Sequence, residues 1–336
     1  MTTIAVDAMG GDHAPQETVH GAVLAASEGI KIQLVGPENI LKNELDKHKA
    51  STLPIEIIPA CEVIDMSETQ PASAVRKKQD SSIVVAMKQV ASSEASGVIA
   101  AGNTGAATSA ALFNLKRIAG IERPCIAAVM PTQAKPVVIA DAGANLETTC
   151  KQLLQNAFMG ASLSNALFKI KNPRIGLLNV GAEPGKGNSL VKEAYDLLKD
   201  NKVLNFVGNV EARDVPEGIC DVCVCDGFVG NVFLKTAEGV AKLMASLLRE
   251  ELTKDMKGKL GAILAKDSFY RLRKRMDYAE YGGAQLLGVK GVCVIAHGSS
   301  GHIAIKNAIR VARDASEANI VSLIESTIKD CVNGTQ

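Results

Sequence analysis

The residues best suited to chemistry lie within 176–198, GLLNVGAEPGKGNSLVKEAYDLL. Residues 175–180 form an apolar run of strand length, bounded by turn residues. Gly181, Gly185 and Gly187 allow the backbone to turn tightly and to lie close to a ligand. Asn188 or Ser189 can cap a following helix, predicted to carry apolar Leu190, Ala194, Leu197 and Leu198 on one face. The free N–H groups and positive dipole end of such a helix attract an anion. Lys186 adds a full charge at the same place. The chemistry predicted is phosphate or oxyanion binding; the alternative is a solvated loop with a surface lysine. A Walker loop is excluded, because three residues separate Gly181 from Gly185 and Gly187 follows Lys186 where Ser or Thr is required.

Elements that position this loop follow from periodicity. Apolar runs at 2–9, 30–36, 54–60, 96–102, 125–131, 136–143, 175–180, 204–210, 219–227 and 292–296 read as strands, and amphipathic stretches between most of them read as helices. Among these are a helix opened by Asn103 and Thr104, a long helix over 146–168, and a helical segment over 233–287. Alternation of this kind predicts an α/β fold with three α/β/α layers and a mostly parallel sheet. Ligands then sit beyond the carboxyl ends of the strands. Seven polar loops follow strands: 7–13, 102–104, 141–145, 179–188, 209–214, 226–231 and 297–300. In an all-parallel sheet they would crowd one edge, around a cleft between two lobes of a single catalytic unit.

Composition narrows the class. The chain of 336 residues is 47% hydrophobic but only 3% aromatic, so its core is built from Ala, Val, Ile and Leu, as suits helices on a parallel sheet. A net charge of +1 gives no global field for nucleic acid. No apolar stretch reaches membrane-spanning length and no signal peptide opens the chain, which predicts a cytoplasmic protein with reduced thiols. Cys220, Cys223 and Cys225 cluster without a second Cys or His pair at zinc spacing, so they are read as buried strand residues and no metal is expected.

One stretch breaks the charge balance. Within 254–275, eight Lys or Arg face only Asp255 and Asp267, a local charge of +6 that leaves −5 for the rest of the chain. Met256, Leu260, Ile263 and Leu264 add an apolar stripe, continued by Leu272 and Met276. A basic amphipathic segment fits an anionic membrane surface or an acidic partner; a solvated helix pair is the alternative.

Taken in order, VDAMGGDHAP, SAVRKKQDSS, AGNTGA, GIERP, DAGAN, GLLNVGAEPGKGN, NFVGNVEARD, DGFVGNVFLK, YGGAQLLG and AHGSS resemble the phosphate acyltransferases of phospholipid synthesis, the PlsX family, over nearly the whole chain. The resemblance implies a fold similar to phosphotransacetylases and to the isocitrate/isopropylmalate dehydrogenase group. It implies transfer of a long-chain acyl group from the thioester of acyl carrier protein to inorganic phosphate, giving acyl phosphate. A homodimer is expected, peripherally associated with the membrane where a glycerol-3-phosphate acyltransferase uses the product. No cofactor is expected, and no strand is followed by the dinucleotide fingerprint. Phosphate and a thiol leaving group need positioning and oxyanion donors more than a strong base.

The resemblance places a catalytic Lys at Lys186 and a catalytic Asn at Asn231. Helix capping is the plainer role for Asn231. Gly102, Asn103, Thr104, Asn179, Gly185, Gly187, Asn188, Asp7, Asp12, His13 and His297 are candidates for the phosphate and substrate loops. Capping explains Asn103 and Thr104 equally well, and loop ordering explains His297. Asp141 and Asn145 are expected to support the cleft floor. Arg76, Lys77, Lys78, Lys259, Leu260, Ile263, Arg271, Arg273 and Lys274 are candidates for carrier-protein or membrane contact. Three rivals stand beside this reading: a phosphotransacetylase using coenzyme A, a nicotinamide-dependent hydroxyacid dehydrogenase, and a non-catalytic membrane-surface scaffold.

Overall fold

The computed structural model describes residues 2–276 and 278–333. Its strands are β1 (Thr3–Asp7), β2 (Lys31–Gly36), β3 (Ile55–Pro59), β4 (Gly97–Ala100), β5 (Cys125–Met130), β6 (Val137–Ala140), β7 (Arg174–Asn179), β8 (Asn205–Glu211), β9 (Val222–Val224), β10 (Ala284–Leu287) and β11 (Val292–Ile295). They form one sheet in the order β3-β2-β1-β4-β11-β10-β5-β6-β9-β7-β8. The pairings are parallel except β11–β10, β10–β5 and β5–β6.

Both faces are covered because successive residues of the central strands, which point to opposite faces, are apolar. Ile4 and Val6 join one core and Ala5 the other; Val138 and Ala140 point one way, Val137 and Ile139 the other. The first face carries α1 (Gln16–Ala26), α2 (Glu38–Lys47), α6 (Cys150–Phe168), α7 (Ser189–Asp200), α11 (His302–Glu317) and α12 (Ile320–Asn333). The second carries α3 (Pro71–Lys77), α4 (Ser82–Ala91), α5 (Thr104–Asn114) and the first turns of α8 (Gly227–Thr253). The three-layer, mostly parallel α/β architecture is therefore present. The cysteines behave as expected: Cys223 and Cys225 are buried together on the second face; a hydrogen bond with Cys220, and then burial, drives the Cys223 thiol well above its ordinary pKa, and burial does the same for Cys225.

Local expectations are corrected at four places. The long helix begins at Cys150, not 146, because Thr149 and Gln152 form a capping box, worth about 1 kcal/mol. Leu197 is exposed, leaving Ala194 and Leu198 as the buried positions of α7. The segment 233–287 is not helical throughout: α8 is followed by α9 (Met256–Leu264), α10 (Lys266–Met276), a short 3-10 turn and then β10, a central strand. Finally, the strand sense reverses. Residues 131–136 join β5 to β6 as a hairpin, too short for the crossover a parallel pair needs. As a result β6, β9, β7 and β8 run opposite to β1, β4 and β11.

Among the described residues no helix is long and apolar enough to cross a membrane. Beyond its first turns α8 packs against little but α9, leaving Val240, Leu243, Met244, Leu247 and Leu248 exposed.

Candidate active site

The reversal divides the seven polar loops between two edges of the sheet. Loops after β1, β4 and β11 leave by one edge; those after β6, β9, β7 and β8 leave by the other. The expectation of a single edge is thereby corrected. Lys186 and Asn231 fall in the same set, at the ends of the adjacent strands β7 and β9.

The Lys186 loop is shaped by amides at its base. Asn179 donates from Nδ2 to the carbonyl of Lys186 at 3.1 Å, and its Oδ1 accepts from Val180 N–H at 2.8 Å. Asn209, inside β8 rather than in the loop after it, donates to the Glu183 carbonyl at 2.9 Å. Gly187 has φ +92°, and a Cβ there would stand 2.7 Å from Asn179 Oδ1, so both backbone and space require glycine. Gly181 is less constrained, since an added Cβ would meet only the flexible Glu183 carboxylate at 2.9 Å and the Lys186 stem at 3.3 Å. Gly185 faces open space. Asn188, not Ser189, caps α7 through Val191 N–H at 3.0 Å. Lys186 itself is exposed and forms no ion pair among the described residues. Its charge is therefore free for a ligand.

Asn231 stands on a more rigid base. The Asp141 carboxylate is fully buried and accepts from Ile126, Gly143, Ala144 and Asn145 backbone N–H groups and from Asn145 Nδ2, all within 2.9–3.1 Å. Asn145 Nδ2 also donates to the Pro124 carbonyl at 2.7 Å, and the Asn145 carbonyl accepts from Gly227 N–H at 2.8 Å. This ties the loop after β6 to the start of α8. Asp226 caps that helix through Val229 N–H at 2.9 Å. Capping is thus not the job of Asn231, which projects, exposed, in the second turn. Its side chain passes 3.6 Å from where a Cβ of Gly143 would stand, and Gly230 presses on the Asp141 carbonyl.

At the other edge the candidates are close to one another. Gly10 packs on Gly102 and on Asp7, and Asp12 N–H donates to the Gly298 carbonyl at 2.8 Å. Asp7 is buried, and burial raises its carboxyl pKa to about 6 against hydrogen bonds from Ser82, Met9 and Gly10. Asn103 caps α5 through Ala106 N–H at 3.0 Å and spends its amide on the Met66 and Glu68 carbonyls. His297 Nδ1 sits 2.9 Å from Ser299 Oγ, which orders its own loop. Asp12, His13, Thr104 and His297 are exposed.

Of the contact candidates, Lys78 is committed to the Val63 carbonyl at 2.7 Å, whereas Arg76 lies 4.8 Å over the Phe113 ring. Lys259, Arg271 and Lys274 are exposed, and Leu260 and Ile263 are 60% and 70% exposed. The side chain of Arg273 lies outside those described.

The family described as fatty acid synthesis protein matches residues 2–323. A phosphate acyltransferase of Clostridium botulinum (strain ATCC 19397 / Type A) is 46% identical over 331 residues, 98% of each chain. One of Pelotomaculum thermopropionicum is 49% identical over 327 residues, 97% of this chain and 95% of its own. Among solved structures, a phosphotransacetylase from Streptococcus pyogenes superposes with a TM-score of 0.61 at 18% identity, covering 95% of this chain and 94% of its own. That likeness is one of fold, which is accordingly phosphotransacetylase-like.

Proposed function

The chain belongs to the phosphate acyltransferase family and is an acyltransferase, and on that premise we propose that it moves a long-chain acyl group from the thioester of acyl carrier protein to inorganic phosphate. The observation that carries this reading is the placing of Lys186, in no ion pair among the described residues, and a rigidly held Asn231 at the ends of adjacent strands.

The reaction asks for two things of such a site. A phosphate oxygen attacks the thioester carbonyl carbon, forming the C–O bond while the carbonyl oxygen gains charge. Collapse of that intermediate breaks the C–S bond, and the thiolate leaves with the electron pair and takes a proton from solvent. Lys186 holds the phosphate dianion beside the amides of Gly187 and Asn188. Asn231 donates to the developing oxyanion, a contact worth about 3–4 kcal/mol where such donors have been removed. Asn179, Gly185 and Gly187 shape the loop, and Asp141 fixes the base of Asn231.

We assign the first edge to the same cleft on the twist of the sheet. A right-handed twist of about 20–25° per strand amounts to about 120–150° over the six steps from β4 to β7. Added to the reversal of strand sense, it turns the carboxyl ends of the two halves toward the same side. Gly102, Thr104, Asp12, His13 and His297 then form the far wall, with Asp7 and Asn103 beneath them.

Product use in phospholipid synthesis suits the protruding helices. The exposed apolar face of α8 fits a second copy of the chain, and Leu260 and Ile263 among the lysines of α9 fit an anionic membrane surface. The decisive assay is phosphate-dependent release of free carrier protein from palmitoyl-acyl carrier protein. Lys186→Ala is expected to abolish release with an unchanged fold. Equal release by both proteins would move the phosphate site elsewhere, and release by neither would remove the proposed reaction.

A further inference from the structure

A basic surface that the catalytic reading leaves unused begins beside the Asn231 loop. Its contacts run without a break. Pro124, whose carbonyl accepts from Asn145, lies against Gly288, and Arg123 precedes it. Arg117 bridges to Val289, and Lys290 N–H donates to the Lys116 carbonyl at 3.0 Å. Residues 116 and 117 follow the end of α5, where Phe113 carries the Arg76 guanidinium on its ring. Arg76, Lys77, Lys116, Arg117, Arg123 and Lys290 are all exposed. One carboxylate beside them, Glu122, is committed to Lys151 at 2.8 Å, which holds its pKa below the ordinary value.

Topology explains the gathering. The start of β5, the end of β10 and the starts of β4 and β11 share one edge, because β10 alone among them runs down toward it. Cations separated by more than two hundred residues are brought together at one rim. The chain as a whole carries only +1, so a patch of this kind is a local choice rather than a general excess of charge. It also stands apart from the basic cluster of α9 and α10, which accompanies exposed Leu260 and Ile263.

Resting on the reading that the acyl donor is an acidic carrier protein, we infer that the rim of Arg76, Lys77, Lys116, Arg117, Arg123 and Lys290 is the surface on which that carrier docks. The carrier sits outside the cleft, and its flexible prosthetic arm enters past Arg123 toward Asn231. Complementary rim charge of this type sets encounter rate and orientation.

Charge reversal tests the surface. Binding of fluorescently labelled carrier protein is measured by anisotropy for Arg117→Glu/Arg123→Glu and, separately, for Lys116→Glu/Lys290→Glu. Each is expected to raise Kd for the carrier about tenfold or more at low salt, a difference that shrinks as salt screens the rim. The same reversal at Lys199 and Lys202, at and just beyond the far end of α7, is expected to leave Kd at its wild-type value. Unchanged Kd in both rim variants overturns the surface while phosphate-dependent acyl transfer by the wild type keeps the reaction. Loss of binding only on Arg271→Glu/Lys274→Glu overturns it in favour of α10. A wild-type protein that binds no carrier overturns the surface and the donor together.

Discussion

Gly230→Ala isolates the step from backbone packing to catalysis. A Cβ at Gly230 would stand 1.9 Å from the Asp141 carbonyl oxygen and 2.8 Å from Cys225 Sγ, where real contacts essentially never fall below 3.0 Å. About 1.1 Å must therefore be found. Asp141 cannot supply it, since its carboxylate is held by five donors. The displacement falls on α8, one residue before Asn231. Misplacing a catalytic group by about 1 Å costs on the order of a hundredfold in rate, and overpacking costs about 1–3 kcal/mol in stability. The expected result is a kcat lower by about a hundredfold, with a lowered thermal midpoint. Gly239→Ala supplies the contrast. It lies on the same helix with nothing within 4 Å of its added methyl, and the exchange should stabilise by about 0.5–1 kcal/mol through helix propensity. Both are read by release of carrier protein from palmitoyl-acyl carrier protein and by thermal unfolding. Wild-type turnover in Gly230→Ala would refute the argument that Asn231 is positioned by this contact.

Two further outcomes are expected. Asp7, with a carboxyl pKa near 6 when folded and 3.8 as a reference, stays protonated in the fold while the unfolded chain ionises, so stability falls as pH rises from about 4 to 6 and is level above. The loss is about 3 kcal/mol; Asp7→Asn should flatten that slope in urea unfolding, and an unaltered slope would assign it to other groups. Leu260→Asp with Ile263→Asp should abolish pelleting with vesicles rich in anionic lipid, and undiminished pelleting would remove α9 as the membrane contact.

What was legible in the chain was what local physics determines. Asn188 and Asn103 were readable as caps, and the strand-loop-helix around Lys186 followed from an apolar run, glycines and a capping amide. Strand sense was not. The reversal at β6 rests on a loop of six residues between two apolar runs, a signal that was present but outweighed by the regular strand-helix alternation. β10 escaped because four residues hold no periodicity, and 278–281 before it are helical in a single turn. Asn231 looked like a cap because Gly230 precedes it; only the contact between Gly230 and Asp141, distant in sequence, reveals why glycine stands there.

The length of α8 has a mechanical consequence. Its 27 residues span about 40 Å, while Asn231 lies about 6 Å along the axis from the first residue. The helix is pinned near Asn231 by the Asp141 carbonyl and the Asn145 carbonyl, and it carries α9 at its far end. It works as an unequal lever: a sway of about 2 Å at the tip reaches Asn231 as about 0.3 Å. That is inside the roughly 0.5 Å tolerance of a catalytic constellation. The tip can follow an uneven, moving surface while the geometry proposed for catalysis at the root stays still.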